Sequence, residues 1–133
     1  MRAGNQNKLI FLSMFLILLF SFNNIRSESV EGNSVTLQLL DKVTAKISSV
    51  EIKIGEKYLY GSLEIEIFFC MKRPPEEIPE DFVLLKVIDK LEKDKIEIAF
   101  QGWMLSSSPT ISPFEHPTYD VWVKDCKIDK ESS

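Results

Sequence analysis

Hydrophobic side chains recur at every second residue along most of this chain, and that period constrains its fold more than any other feature. Val35, Leu37 and Leu39 alternate with Thr36 and Gln38; Val43, Ala45 and Ile47 alternate with Thr44, Lys46 and Ser48; Val50, Ile52 and Ile54 alternate with Glu51 and Lys53. The pattern continues in Leu63, Ile65, Ile67 and Phe69, in Val83, Leu85 and Val87, in Ile96, Ile98 and Phe100, and in Tyr119, Val121 and Val123. Successive side chains of a strand point to opposite faces, so this alternation puts one face on a core and the other toward water. Gly55-Glu56 and Gly61-Ser62 punctuate a short run from Lys57 to Tyr60. Seven or eight short strands at this spacing predict an all-β fold, a compact antiparallel β-sandwich or small barrel. The stretch from Val87 to Lys95 is the one region that could be helical, with Ile88 and Leu91 three apart, but its charges from Asp89 to Lys95 suit a hairpin equally and it is read as a turn between two strands. An immunoglobulin domain is not supported: Lys124 stands two residues before Cys126, where that fold places a tyrosine, and the first tryptophan after Cys70 is Trp103.

The start of the chain is of another kind. Arg2 and Lys8 precede an apolar run from Leu9 to Phe20 that only Ser13 interrupts. A basic start followed by such a run is the pattern of a secretory signal peptide. Extended to Phe22 and wound as a helix, the run spans about 21 Å, short of the roughly 30 Å of a bilayer core. Cleavage is expected after Ser27, with an uncleaved anchor through Leu9–Phe22 as the alternative. The expected organisation is a signal peptide over 1–27, a linker over 28–34, a β domain over 35–128 and a flexible tail over 129–133. The formal charge is −4, and loss of Arg2, Lys8 and Arg26 with the leader makes it −7. An acidic surface argues against nucleic acid as a partner. One histidine and two cysteines exclude most structural zinc sites.

In an oxidising compartment, Cys70 and Cys126 read as a structural disulfide, with free or intermolecular thiols and a redox pair as alternatives. Closing a loop of this length contributes roughly 4 kcal/mol in the chain-entropy picture. Two proline-bearing loops stand out, Lys72 to Asp81 and Ser106 to Thr118. The second contains Pro109, Pro113, Pro117, Phe114 and the only histidine, His116. A Ser–His pair with Ser106, Ser107 or Ser108, oriented by Glu115 or Asp120, would be hydrolytic, but the chain has no Gly-x-Ser-x-Gly elbow. His116, Glu115 and Asp120 could number enough ligands for a metal, without a recognised spacing; the expected role of His116 is instead to bond a backbone carbonyl or a carboxylate and so fix the loop. The carboxylate pairs Glu64/Glu66 and Glu76/Glu77 read as solvated strand face and loop. No catalytic residue, metal ligand or cofactor is therefore assigned. Trp103, Phe114, His116, Tyr119 and Trp122 gather around the long loop in sequence and form the candidate binding residues.

Several segments carry a resemblance. They are Leu40-Asp41-Lys42-Val43-Thr44, Tyr60-Gly61-Ser62-Leu63-Glu64-Ile65, Cys70-Met71-Lys72-Arg73-Pro74-Pro75-Glu76, Gly102-Trp103-Met104-Leu105-Ser106-Ser107-Ser108-Pro109, Glu115-His116-Pro117-Thr118-Tyr119-Asp120-Val121-Trp122-Val123 and Cys126. Together they resemble an uncharacterised family of secreted alphaproteobacterial proteins, domain of unknown function 2155, from about Leu40 to Cys126. The resemblance implies a Gram-negative source and export to the periplasm; it carries no activity. The expected function is that of a periplasmic, non-enzymatic envelope protein that binds another envelope protein or a cell-wall component through the 106–118 loop. The alternatives are a small hydrolase or metal-dependent enzyme using His116, Asp120 and a loop serine, and a structural module that pairs with its own copies. Contact with the membrane is expected only through Leu9–Phe22, as an inner-membrane anchor facing the periplasm, if the leader is kept.

Overall fold

The computed structural model describes residues 3–20, 28–92, 94–108, 110 and 113–129. The apolar run lies in a helix, α1 (Ala3–Phe20), whose apolar side chains from Leu9 onward are exposed. Among the described residues no helix is long and apolar enough to cross a membrane. The expected cleavage site and most of the expected tail, 130–133, lie outside the described residues.

The rest is antiparallel β. Its eight strands are β1 (Val30–Glu31), β2 (Ser34–Asp41), β3 (Lys46–Lys53), β4 (Lys57–Tyr60), β5 (Leu63–Lys72), β6 (Asp81–Glu92), β7 (Lys95–Leu105) and β8 (Tyr119–Lys127). The larger sheet has the order β1-β5-β6-β7, with β4 also paired to β5; the smaller has the order β3-β2-β8. The two sheets form a sandwich around the inward residues of the alternating runs: Val35, Leu37 and Leu39 of β2 and Val121 and Val123 of β8 face Ile65 and Ile67 of β5 and Val83, Leu85 and Val87 of β6.

Cys70 on β5 and Cys126 on β8 are bonded, with Cα atoms 5.9 Å apart, so the bridge ties one sheet to the other. Both sulfurs are fully buried. The segment expected as a linker covers them. β1 pairs with Met71 and Lys72, the Gly32 amide donates to the Cys70 carbonyl at 2.9 Å, and Ser34 already belongs to β2. A Cβ added at Gly32 would stand 2.3 Å from Cys126 Sγ and 2.7 Å from Cys70 Sγ.

Four other expectations differ in detail. Val43 and Ala45 are not in a strand: residues 42–45 turn from β2 to β3, with Asp41 Oδ1 accepting the amides of Val43 (2.9 Å) and Thr44 (3.3 Å) and Ala45 at φ 56°. An aspartate that satisfies local amides favours a turn over a continuing ladder. The charged stretch after Val87 is mostly strand, since β6 runs on to Glu92 and β7 begins at Lys95. Ile96 and Ile98 are exposed rather than inward. A β-bulge causes this: Val87 faces Phe100 but Ile88 faces Ile98, and one extra residue moves every later side chain to the opposite face; a second bulge, between Ile67 and Phe69, likewise turns Phe69 from the inward series to the outer face.

The Ser106–Thr118 connection is long for a geometric reason. β7 ends beside Asp81, where the Ser106 amide donates to the Asp81 carbonyl. His116 meets Asp89, also on β6. Eight residues of strand separate these points, about 26 Å at roughly 3.3 Å per residue. β7 and β8 thus run in the same direction in opposite sheets, and the chain must return along the sandwich between them.

Gly32→Ala should therefore destabilise the domain by about 1–3 kcal/mol through overpacking against the bridge and the Lys127 carbonyl. That is several degrees of melting temperature, whereas Gly4→Ala, with no atom within 4 Å of its added Cβ, should leave the melt unchanged. A Gly32→Ala chain that melts with the wild type would remove the segment from the bridge.

Candidate functional site

The inward series of β6, Val83, Leu85 and Val87, continues to Asp89, which is only 4% exposed. A buried carboxylate needs a partner, and His116 supplies it: Nε2 lies 2.6 Å from Asp89 Oδ2. The other ring nitrogen, Nδ1, accepts the amides of Thr118 (3.1 Å) and Tyr119 (3.2 Å). Accepting two N–H groups leaves Nδ1 without a proton, so Nε2 carries the hydrogen and donates it to Asp89. The imidazole is stacked between Phe114 (5.8 Å) and Tyr119 (5.4 Å), and Tyr119 meets Tyr60 edge-on at 5.4 Å. A Cβ added at Gly61, whose φ is 56°, would stand 2.1 Å from the Tyr119 hydroxyl. From outside, Lys42 Nζ donates to the His116 carbonyl (2.8 Å) and pairs with Asp120 (2.9 Å).

The other end of the connection is held by Glu80, which is 8% exposed. Its carboxylate accepts the Ser106 hydroxyl (3.1 Å), the Ser107 amide (3.0 Å) and the Ser107 hydroxyl. The two loops singled out in the sequence are therefore joined to each other. Burial alone would raise the Glu80 pKa, but the bonds from Ser107 and Ser106 outweigh it and hold the carboxyl below the ordinary glutamate value. Beside the bridge, Lys72 lies between Asp125 (2.5 Å) and Asp81 (3.6 Å). The Asp125 bond raises the Lys72 pKa against the effect of burial, while burial raises that of Asp81 despite Lys72.

These placements decide which sequence candidates meet. Phe114, His116 and Tyr119 form one stack. Trp122 donates its indole N–H to Gln38 (2.8 Å), and with Thr110, Pro113, Phe114, Asp120 and Val121 it lines an open cleft of about 300 Å³. Trp103 does not join them: it lies edge-on to Phe69 at 6.1 Å, next in sequence to the inward Met104. Ser106 and Ser107 are engaged by Glu80 at one end of the return path and His116 by Asp89 at the other, so among the described residues no Ser–His pair is assembled. Asp120 is engaged by Lys42, and among the described residues no group of three or more His, Cys, Asp or Glu side chains could hold a metal ion. Asp89, Glu80 and Lys42 were missed as site residues. The signal for Asp89 was its place in the inward series of β6.

The fold and its pinned return path define a small all-β sandwich with a disulfide between its sheets. The chain belongs to the bacterial family described as "Uncharacterized protein conserved in bacteria (DUF2155)", which matches residues 35–126 and so ends on the bridged Cys126. It is similar to an uncharacterised protein of Rickettsia prowazekii (strain Madrid E), 35% identical over 88 residues. That match covers 65% of this chain and 56% of the relative, so the chain spans little more than half the relative's length. No solved structure matches.

His116→Ala leaves Asp89 buried without its partner and should cost about 3–5 kcal/mol in urea unfolding; Ser107→Ala, at a partly exposed hydroxyl, should cost about 1 kcal/mol. Equal losses would show that the imidazole does not pin the path.

Because the folded-state pKa of Glu80 is lowered, its contribution is complete above the unfolded glutamate value and is lost as pH falls through the folded one. Glu80→Gln should cost about 1–3 kcal/mol near pH 7, and the difference should shrink as pH falls below the unfolded glutamate value of about 4.3 and on through the lowered folded one, read from urea midpoints across the acid range. A difference independent of pH would show that the charge is not what the serines hold.

Proposed function

We propose that this chain is an exported envelope protein of a Gram-negative bacterium, and that it binds another envelope protein or a cell-wall component at the cleft beside its 106–118 connection. The observation that carries this reading is the cleft itself, an open space of about 300 Å³ between Pro113, Phe114, Val121 and Trp122 with Asp120 at its rim. Its walls are set in advance. Phe114 is held by the imidazole stack, Trp122 by Gln38 and Asp120 by Lys42. A surface already ordered loses little entropy on binding. The volume suits one large side chain or sugar ring, at the lower end of ligand sites. Export is supported by the basic-then-apolar start and by a buried disulfide, a bond that persists in oxidising compartments. The hydrolase alternative gains no support, since its serines and histidine are held at opposite ends of β6.

The test is photo-crosslinking in living cells from benzoylphenylalanine placed at Pro113. Trp122→Ala should abolish the crosslinked products, whereas Val43→Ser, on an exposed turn, should leave them unchanged. Products that survive Trp122→Ala would move the contact away from the cleft. N-terminal sequencing of the same material should begin at Glu28. An intact Met1 in the membrane fraction would select the anchored form, and a purely cytoplasmic chain would overturn export.

A further inference from the structure

The larger sheet carries a second apolar surface, on the face turned away from the core and from the cleft. The strand register defines it in rows: Met71, Phe82 and Leu105 side by side, then Phe69, Leu84 and Trp103. Five of the six are half-buried by their neighbours and Trp103 is 41% exposed. An antiparallel sheet with one face on a core ordinarily turns polar residues outward, and a contiguous exposed apolar patch marks a contact surface.

The charges around the patch identify what covers it. Beyond Phe69, the next row is Glu66, Lys86 and Gln101. Beyond Met71, at the opposite end and on the same strand line, is Arg73, whose guanidinium lies 5.6 Å from the Phe82 ring. Among the described residues neither Glu66 nor Lys86 is in an ion pair, while Arg73 Nε lies 4.0 Å from a Glu77 carboxylate oxygen at the outer edge of the patch. Counted along β6, the acid's row, at Lys86, and the guanidinium's, at Glu80, whose carbonyl takes the Arg73 amide, stand equally far from the middle of the patch; on β5 a bulge between Ile67 and Phe69 places the exposed Phe68 between the patch and Glu66. A two-fold axis across the strands at that midpoint superimposes the patch on itself with the ends exchanged. Met71 then meets Phe69 of the second copy, Leu105 meets Trp103, and Arg73 meets Glu66 twice over. Self-complementarity of this kind is what an isologous dimer requires, and two sheets can pack face to face with their strands nearly aligned.

We propose that the outer face of the β5-β6-β7 sheet is a homodimer interface, with a second copy of this chain as its occupant. This goes beyond the cleft reading, because the two surfaces use different residues on different faces, and either can fail without the other. The apolar rows supply the contact, and the exchanged Arg73 and Glu66 set its orientation.

The test uses the full chain in cells that express two differently tagged copies, with benzoylphenylalanine at Leu84 near the proposed axis. The expected result is a crosslinked product of twice the chain mass that carries both tags. Arg73→Glu should reduce it about tenfold or more, as two like-charge contacts replace two attractive ones. Adding Glu66→Arg to that variant should restore it, because the exchanged charges again face their opposites. Resistance to protease and an intact Cys70–Cys126 bridge show that each variant is folded; if the charge variants do not fold, the product at Leu84 in the otherwise unaltered chain still decides. A product with both tags that falls and returns in this order supports the dimer. Crosslinks only to another protein or to lipid, the absence of a two-tag product, or its failure to return in the folded double variant would overturn it.

Discussion

The buried pair between His116 and Asp89 is the contact on which the return path depends. Since β7 and β8 run in the same direction in opposite sheets, the chain must travel back along the sandwich before β8 can begin. Ordering each residue of such a path costs about 1–2 kcal/mol in backbone entropy. Pro113 and Pro117 reduce that loss by restricting the unfolded chain. The remainder is offset at two points: Glu80 gathers Ser106 and Ser107 where the path starts, and Asp89 fixes His116 where it ends. Once the imidazole is seated, its Nδ1 takes the amides of Thr118 and Tyr119 and so aims the first residues of β8. The cleft lies along this path because Phe114, one of its walls, is a layer of the same stack.

Much of this was legible in period two and some of it was not. The inward residues of β2, β5, β6 and β8 could be named from alternation alone because each run keeps its parity throughout, or up to a bulge. Bulges leave no clear mark in composition, so Ile96 and Ile98 look like core residues and are exposed. Gly32 gives no periodic signal, so the segment around it passes for a linker although it lies on the bridge. Asp89 was readable in principle: the series Val83, Leu85 and Val87 reaches it at the next inward position, and an acid there demands a partner. Reading the charged stretch as a turn ended the series one step early.

The candidate binding residues show the limit of proximity in sequence. Trp103 and Phe114 flank the same connection, yet Trp103 belongs to the outer face of the large sheet, as its alternation with buried Met104 implies. Phe114 and His116 are embedded in the stack, which makes them supports of the cleft more than its exposed contacts. Trp122, half-buried, lines the cleft directly. Side chains that look equivalent along the chain have divided into scaffold and surface because two sheets lie between them.

Gly32 lies directly on two sulfurs that solvent cannot reach. The thiols can meet an oxidant only while this stretch is still away from them, so the bridge must close before β1 takes its place on β5. The strand and Gly32 then close over the sulfurs. Once settled, they make the reaction one-way under native conditions: a reductant must wait for the edge of the sheet to open, and the lifetime of the bond becomes the lifetime of that closure.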